Sequence, residues 1–188
     1  MALQDTDIWR EMLSGNPYNA IDPQLLAALS HMRDRVAEFN AYVPTDTEMQ
    51  LEWLRKYLGS IGENVTINQP FRCDYGANIY IGDNTVINFN MTILDEGEVR
   101  IGSNVYIGPN CSIYTPCHPL DPEERNQGIE WSLPVTIGDN CWLGGNVVIC
   151  PGVTIGEGCT IGAGSVVVSD IPTRSVAVGN PCKVIKKI

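Results

Sequence analysis

The sequence has no long hydrophobic run, no leader pattern and no excess of basic residues. No stretch of about 18 consecutive apolar residues occurs, so neither a membrane-spanning helix nor a membrane partner is expected. The opening sequence, M-A-L-Q-D-T-D-I-W-R, is acidic and lacks the apolar segment of a signal peptide, so a cytoplasmic location is expected. The net charge of −10 argues against nucleic acid as a partner, because phosphate binding requires a basic surface.

Metal-ligand patterns are also missing. The seven cysteines include no Cys-x-x-Cys pair, and the chain has only two histidines, His31 and His118. A zinc enzyme of the γ-class carbonic anhydrase type would need three histidines around its metal, so that class is not supported. We therefore expect no metal requirement. The odd number of cysteines and the expected compartment both predict reduced thiols.

The sequence is instead rich in a six-residue repeat, in which an aliphatic residue is most often followed by Gly. The repeat begins at Ile61, and its longest uninterrupted run starts at Ile137: I-G-D-N-C-W, L-G-G-N-V-V, I-C-P-G-V-T, I-G-E-G-C-T and I-G-A-G-S-V. A hexapeptide period is typical of a β-helix, since six residues suffice for one short strand and one bend. Gly and Asn at the bends tolerate a positive φ. The period predicts triangular coils with the aliphatic position inside.

The strict six-residue period does not fit a β-sandwich, because sandwich strands recur about every 8–12 residues. The expected fold class is therefore mainly β, a parallel β-helix of hexapeptide repeats. Cys111, Cys141 and Cys159 occupy the fifth repeat position, where a small side chain is wanted, and are interpreted as packing residues. Cys117 adjoins His118, but adjacent side chains rarely meet in the geometry of a Cys-His nucleophile.

Residues 1–58 are predicted to form a short helical cap, and residues 59–188 the β-helix with a C-terminal tail. Asp22 precedes a proline, which is the pattern of a helix N-cap followed by Pro at the first helical position. A later helix is predicted with Met49, Trp53, Leu54 and Leu58 on one apolar face. The cap is expected to cover the open end of the first coil, because the terminal coils of a solenoid need covering.

The longest interruption, from Tyr114 to Thr136, is predicted to be a long loop protruding from the prism. It contains T-P-C-H-P-L-D-P-E-E-R-N-Q-G-I-E-W, whose prolines and charges cannot continue a coil. Loops of this length in a compact domain are usually functional. His118 is restricted to extended backbone by the proline after it and is a candidate general base, with an ordinary surface histidine as the alternative. Asp121, Glu123 or Glu124 could raise its pKa if one lies within a few ångströms.

Several segments resemble the maltose/galactoside O-acetyltransferase family of hexapeptide-repeat acyltransferases. They span nearly the whole chain: M-L-S-G-N-P-Y-N-A-I-D-P-Q-L, F-R-C-D-Y-G-A-N-I-Y-I-G, N-F-N-M-T-I-L-D, H-P-L-D-P-E-E-R, P-V-T-I-G-D-N-C-W-L-G-G-N-V-V-I-C-P-G-V-T-I-G and A-V-G-N-P-C-K-V-I. The resemblance implies a left-handed parallel β-helix, a homotrimer, and acetyl transfer from acetyl-CoA to a sugar hydroxyl. It also implies active sites between subunits, with the histidine loop of one subunit reaching over the next.

The resemblance makes His118 the match to the family's catalytic histidine, which would deprotonate a sugar or glycoside hydroxyl directly, without a covalent enzyme intermediate. Five residues match positions that look like the family's acceptor contacts: Asp22, Asp74, Asn88, Asp95 and Glu96. Asp22 and Asn88 are explained equally well as a helix cap and a bend residue.

Six further residues match positions beside acetyl-CoA in the family: Trp142, Gly145, Ala163, Val168, Lys183 and Lys186. Trp142 and Gly145 lie in the W-L-G-G sequence beside the expected pantetheine arm, and Ala163 and Val168 match strand-edge positions along that arm. The two lysines match basic positions near the adenosine phosphates, and a solvated tail is the alternative.

Gly145 departs from the pattern, because many relatives have Ser at this position. A hydroxyl contact to the thioester region is therefore in doubt here. Backbone N–H groups near Gly144 and Gly145 are expected to stabilise the oxyanion of the transition state.

Two other functions remain as alternatives: acetyl transfer to a non-sugar acceptor, such as an antibiotic or an amino acid, and a non-catalytic hexapeptide scaffold. Serine acetyltransferases carry a larger N-terminal helical domain, which this chain lacks. Retention of His118, the acidic loop and Trp142 argues against a scaffold.

Overall fold

Residues 3–188 are described by a computed structural model, so the part of the predicted cap at residues 1 and 2 lies outside the described residues. The helices are α1 (Asp7–Leu13), α2 (Pro23–Ala41), α3 (Thr47–Tyr57) and the single turn α4 (Pro122–Arg125), preceded by a 3-10 turn at Leu3–Asp5. Across this span, none of the helices combines the length and the apolar character that crossing a membrane requires.

The strands are short, as a six-residue period requires. In chain order they are β1 (Tyr18–Asn19), β2 (Ser60–Ile61), β3 (Thr66–Ile67), β4 (Phe71–Cys73), β5 (Ile79–Ile81), β6 (Val86–Ile87), β7 (Met91–Leu94), β8 (Val99–Ile101), β9 (Tyr106–Ile107), β10 (Ser112–Tyr114), β11 (Pro116–Cys117), β12 (Ile129–Ser132), β13 (Val135–Ile137), β14 (Trp142–Leu143), β15 (Val148–Ile149), β16 (Thr154–Ile155), β17 (Thr160–Ile161), β18 (Val166–Val167), β19 (Ser175–Val178) and β20 (Lys183–Lys187).

Three sheets form the faces of a prism. The first face consists of β2, β5, β8, β13 and β16, the second of β3, β6, β9, β14, β17, β19 and β20, and the third of β4, β7, β10, β15 and β18. Pairing within each face is parallel, except that β20 runs antiparallel to β19. The chain visits the faces in this order on successive coils, so the predicted parallel β-helix is confirmed.

The aliphatic repeat position fills the prism. On the first face Ile81, Ile101, Ile137 and Ile155 are register partners, and each is at most 3% exposed. Removing stacked aliphatic side chains from water is the main favourable contribution to such a fold. The repeat therefore specifies both the strand spacing and the core.

The bends use asparagine where a left-handed backbone is needed. Asn64, Asn84, Asn104 and Asn140 have φ of 56°, 54°, 57° and 58°, a region that asparagine tolerates better than most residues. The side chains also stack from coil to coil, since the Nδ2 of Asn64 donates to the Oδ1 of Asn84 at 3.0 Å.

The helical cap closes the first coil, as predicted. Phe39 packs against Trp53 and Phe71 at ring-centroid distances of 4.8 and 6.2 Å, so cap and coil share one core. The side-chain amide of Asn40 accepts from the N–H of Phe71 and donates to its carbonyl, both at 2.8 Å. Of the four residues predicted on the apolar face of α3, Trp53, Leu54 and Leu58 are buried, whereas Met49 is 45% exposed.

The excursion between β10 and β13 leaves the prism where it was predicted, but it is not structureless. β11 and β12 pair antiparallel within it, and β12 also pairs antiparallel with β1 of the N-terminal segment. The hydroxyl of Ser132 donates to the carbonyl of Met12 at 2.5 Å, a second tie to the cap. This three-stranded sheet holds the excursion against the first residues of the chain.

Two edges of the prism carry the candidate site residues. The loop edge is where the chain passes from the third face to the first, at residues 74–78, 95–98, 115–134, 150–153 and 168–170. The glycine edge is where it passes from the second face to the third, at residues 88–90, 108–111, 144–147 and 162–165. The third face lies between these edges.

Candidate active site

His118 stands opposite a buried carboxylate at the loop edge. Register pairs Cys117 of β11 with Trp131 of β12, so the residues that follow on one strand and precede on the other, His118 and Glu130, face each other. The Nε2 of His118 lies 3.5 Å from the Oε2 of Glu130. The imidazole is 54% exposed, whereas the Glu130 side chain is only 10% exposed. The histidine is thus open to a ligand on one side and faces a fixed carboxylate on the other.

The sequence did not single out Glu130. The loop acids that were expected near the histidine lie in and before α4, where Asp121 accepts from the N–H of Glu123 at 2.7 Å and caps the turn. The available signal was weak: I-E-W-S alternates with Glu130 and Ser132 buried and the apolar residues partly exposed. That inverted alternation makes sense only when the partner strand is known.

Tyr18 supplies that partner. β1 places Tyr18 opposite Glu130, and its hydroxyl donates to the Oε1 of Glu130. Burial, and next the carboxylate beside it, raises the pKa of Tyr18 well above its usual range, so the hydroxyl remains a donor. Burial also raises the pKa of Glu130, but the hydrogen bond from Tyr18 and the charge of His118 oppose this and favour the carboxylate.

Asp74 and Glu96 form a carboxyl pair on the same edge. Burial, and then the neighbouring Asp74, raises the pKa of Glu96 strongly. Burial also raises the pKa of Asp74, although the interaction with Glu96 opposes that rise. The protonated form of Glu96 is therefore favoured at neutral pH. This pair acts electrostatically on Glu130 and Tyr18, so the structure brings Asp74, Glu96 and His118 into one region.

Asp95 has a different position from the one expected of an acceptor contact. It is fully buried, its Oδ1 accepts from the N–H groups of Asp74 and Tyr75 at 3.0 and 2.9 Å, and its carbonyl accepts from Asn78. Burial raises its pKa to about 7. Asp95 therefore holds the bend that carries Asp74 and has no surface with which to contact an acceptor.

Asp22 and Asn88 have the structural roles that were given as their alternatives. Asp22 caps α2, since its Oδ1 accepts from the N–H of Gln24 at 2.8 Å. Asn88 is a bend residue whose Oδ1 accepts from the N–H of Phe89 at 2.8 Å. It lies at the glycine edge, so within one chain it is separated from Asp74 by the third face.

The glycine edge brings together Trp142, Gly145 and Ala163. Trp142 is 60% exposed on the second face beside its register partner Tyr106, which is 57% exposed. The carbonyl of Gly145 accepts from the N–H of Gly164 at 2.9 Å, which stacks the bend of Gly145 on that of Ala163. These exposed aromatic and backbone surfaces form a continuous strip.

The two candidate oxyanion donors differ. The N–H of Gly144 donates to the carbonyl of Ile161 at 2.8 Å, so it is already used. The N–H of Gly145 has no hydrogen-bond acceptor within residues 3–188 and remains available. A Cβ on Gly108 would lie 2.5 Å from this nitrogen, whereas one on Gly145 would lie 3.2 Å from the carbonyl of Pro109. Gly108 thus leaves the room that the Gly145 N–H requires.

Val168 was grouped with Ala163, and the structure separates them. Register pairs Ile149 with Val167, so Val168 stacks on Cys150 at the loop edge, where it is 49% exposed. One chain therefore cannot present Val168 and Ala163 along a single edge.

Lys183 and Lys186 lie on β20, the exposed last strand of the second face. Lys186 is opposite Val176 and Lys183 is opposite Val178, with an irregularity in register between them. Because Val176 and Val178 point outward on either side of buried Ala177, both lysines stand opposite outward-facing positions. The strand lies on the same face as Trp142.

Groups of three or more His, Cys, Asp or Glu side chains that could hold a metal ion do not occur in the described part of the chain. The loop edge is acidic and titratable, whereas the glycine edge is uncharged. Such an arrangement suits proton transfer at one edge and polarisation of a carbonyl at the other.

The comparisons with known proteins agree with this fold. The family model of the bacterial transferase hexapeptide (six repeats) matches residues 134–169, and that of the maltose acetyltransferase hexapeptide capping motif matches residues 11–62. A Saccharomyces cerevisiae protein, whose name states an acetyltransferase without a substrate, is 50% identical over 182 residues, which are 96% of this chain and 93% of that protein.

Solved structures narrow the class. A maltose O-acetyltransferase from Clostridium difficile 630 superimposes with a TM-score of 0.95 at 46% identity, covering 97% of this chain and 98% of that one. A galactoside acetyltransferase in complex with coenzyme A has a TM-score of 0.92 at 38% identity, covering 98% and 92%. The chain belongs to the maltose/galactoside O-acetyltransferase family and is an acetyltransferase of that type, which confirms the resemblance.

Proposed function

We propose that this protein is a cytoplasmic enzyme that transfers an acetyl group from acetyl-CoA to a hydroxyl of a sugar or glycoside, with His118 as general base. The observation that carries the proposal is the exposed imidazole of His118 fixed opposite the buried carboxylate of Glu130. The family supports the acetyl donor, since the galactoside acetyltransferase was solved with coenzyme A.

The reaction needs one proton transfer. A sugar hydroxyl is a poor nucleophile near neutral pH until a base removes its proton. His118 takes that proton as the hydroxyl oxygen attacks the thioester carbonyl, the new ester C–O bond forms, and the C–S bond breaks. The proton then passes from the imidazolium to the leaving thiolate of coenzyme A. The carboxylate of Glu130 stabilises the imidazolium of His118 that exists between these two proton transfers.

The acceptor site would lie along the loop edge. The carboxyl pair of Asp74 and Glu96 supplies a donor and acceptors for sugar hydroxyls beside His118. Asp22 and Asn88 keep their proposed acceptor contacts in addition to their cap and bend roles. Asp95 contributes indirectly, by holding the backbone of Asp74.

The coenzyme site would lie along the glycine edge and the second face. Trp142 and Ala163 line the strip, and Lys183 and Lys186 continue it toward the phosphates. We assign the free N–H of Gly145 as the donor to the oxyanion that develops on the thioester carbonyl, because it has no acceptor in the described chain.

We infer a homotrimer, and the positions of the two edges support it. His118 and Gly145 occupy different edges of one prism, yet the reaction requires both beside one thioester. Two chains solve this if the loop edge of one faces the glycine edge of the next, and threefold symmetry closes the ring. In such an arrangement Val168 reaches the coenzyme from the subunit that also supplies His118.

The proposal is tested by acetyl transfer and by mass in solution. The purified protein should release free coenzyme A from acetyl-CoA only when a sugar or glycoside from a panel is present, and should sediment as three copies of the 20.6 kDa chain. Turnover with an antibiotic or amino acid and not with any sugar would assign a different acceptor class. A monomer at micromolar concentration would contradict the shared site.

A further inference from the structure

We propose that Glu130, held by Tyr18, is a positioning residue that fixes His118 as the tautomer protonated on Nε2 and leaves Nδ1 free to accept the substrate proton. The inference rests on the proposed function, in which His118 is the base. It assigns roles to two residues that the sequence did not point to.

The two carboxylate oxygens of Glu130 have separate partners. The Oε1 accepts from the hydroxyl of Tyr18, and the Oε2 faces the Nε2 of His118 at 3.5 Å. A carboxylate can only accept, so the ring nitrogen that faces it must carry the hydrogen. The lone pair is then on Nδ1, because a neutral imidazole has one protonated and one free nitrogen.

Tyr18 is itself rigidly held. Its ring is 4% exposed and packs in a cluster with Trp9, Met12 and Leu25. The antiparallel sheet of β1, β12 and β11 fixes its distance to Glu130. The hydroxyl therefore restrains the carboxylate, and the carboxylate in turn restrains the exposed imidazole.

The charges around Glu130 also fit this role. Tyr18 and His118 favour its ionised form, whereas burial and Asp74 oppose ionisation. The 3.5 Å separation is longer than a hydrogen bond, but catalytic hydrogen bonds in ligand-free proteins are often long and tighten in the complex. Removing partners that orient a metal-ligating imidazole typically changes activity by about 10–100-fold, and we expect an effect of similar size for this imidazole.

The direct test is the tautomer of His118 by nitrogen-15 NMR of the intact protein. The chain has two histidines, so a His31→Gln variant assigns the spectrum completely. At about pH 8.5, where ordinary imidazoles are neutral, the wild-type His118 should be protonated on Nε2. In Glu130→Gln and in Tyr18→Phe the spectrum should shift toward a mixture of tautomers.

Kinetics supply the second readout. Glu130→Gln should lower kcat by about 10–100-fold, and Tyr18→Phe by about two- to tenfold, the contribution of one hydrogen bond. The KM for acetyl-CoA should stay within about twofold of wild type in both, because that site lies on the other edge. Glu124→Gln, an exposed acid in the same loop, and Tyr42→Phe, in the helical cap, are matched controls expected to behave as wild type.

The double variant distinguishes a relay from two separate effects. If Tyr18 acts only through Glu130, the Tyr18→Phe/Glu130→Gln variant should be no slower than Glu130→Gln alone. A wild-type His118 protonated on Nδ1 would overturn the inference, as would wild-type kcat in Glu130→Gln. If the Gln variant fails to fold, Tyr18→Phe carries the test, because it removes only a hydroxyl.

Failure of the proposed function has a different signature. If the tautomer depends on Glu130 and Tyr18 but no sugar is acetylated, the positioning stands and the assigned reaction is wrong. If sugars are acetylated but the tautomer ignores both variants, the reaction stands and the positioning is wrong.

Discussion

The loop edge and the glycine edge lie on one prism but use different chemistry. The loop edge carries four acidic side chains whose pKa values are raised, chiefly because they are buried: Asp74, Asp95, Glu96 and Glu130. The glycine edge carries backbone N–H groups and exposed aromatic surface. A proton-transfer site benefits from the first and an oxyanion site from the second.

The two edges also differ in how they are assembled. The glycine edge arises from neighbouring repeats, each of which supplies the same bend. The loop edge depends on contacts between distant segments, such as the Tyr18–Glu130 pair, which is separated by 112 residues. Local sequence therefore specifies one edge, and tertiary folding specifies the other.

Removing the base at the loop edge should have the largest effect. His118→Ala should lower kcat by about 10²–10⁴, the usual share of positioned proton transfer. The dissociation constant for acetyl-CoA, measured by calorimetry, should change little, because the imidazole faces the acceptor. His118→Gln is the control: it keeps size and a donor but no base, and near-wild-type turnover in it would rule out general-base catalysis.

The buried acids should make stability depend on pH. The pKa of Asp95 is about 7 in the folded protein and 3.8 ordinarily, so between these values the folded state binds more protons than the unfolded state. Stability is therefore full below about pH 4 with respect to this group and falls as pH rises toward 7, by up to about 4 kcal/mol.

Asp95→Asn should flatten that fall, measured by urea unfolding at one protomer concentration across the same pH window. Asp83→Asn is the matched control, since Asp83 is an exposed carboxylate that also accepts a backbone hydrogen bond, from Glu63 at 2.7 Å. An equally steep fall in Asp95→Asn and wild type would contradict the assignment.

The glycine edge should be sensitive to backbone displacement and tolerant of side chains. Gly108→Ala places a Cβ 2.5 Å from the Gly145 nitrogen, so the backbone must shift. We expect a loss of about 1–3 kcal/mol in unfolding free energy and a lower kcat from displacement of the N–H donor. The Cβ of Gly145→Ser would lie 3.2 Å from the carbonyl of Pro109, which needs a smaller shift than Gly108→Ala, so this variant should fold and turn over within severalfold of wild type. A larger loss of activity in Gly145→Ser than in Gly108→Ala would mean that the oxyanion donor is not the N–H of Gly145.

The basic strand should contribute least. Lys183→Ala/Lys186→Ala should raise the KM for acetyl-CoA severalfold at most, because each exposed charge pair contributes about 0.2–1 kcal/mol. The increase should shrink at high salt, where the phosphate charges are screened. An unchanged KM at low salt would mean that these lysines are solvated and do not contact the coenzyme.

Sequence reasoning found what the period and the motifs encode. The β-helix, the cap and the position of the excursion all depend on local pattern. Glu130 and Tyr18 were missed because their pairing needs two antiparallel strands far apart in the chain. Asp95 matched an acceptor position by sequence, yet its burial beneath Asp74 is set by the packing of successive coils and is not visible in the residue type.

Asn40 has a consequence for how the molecule can grow. A solenoid exposes unpaired strand backbone at each end, which is a template for end-to-end fibre formation. At the bottom edge the Asn40 amide occupies both the N–H and the carbonyl of Phe71, in the way a neighbouring strand would. At the other end the N–H of Cys182 occupies the carbonyl of Val166. Because these groups are already paired, the first and last strands of the third face offer less free backbone for end-to-end growth.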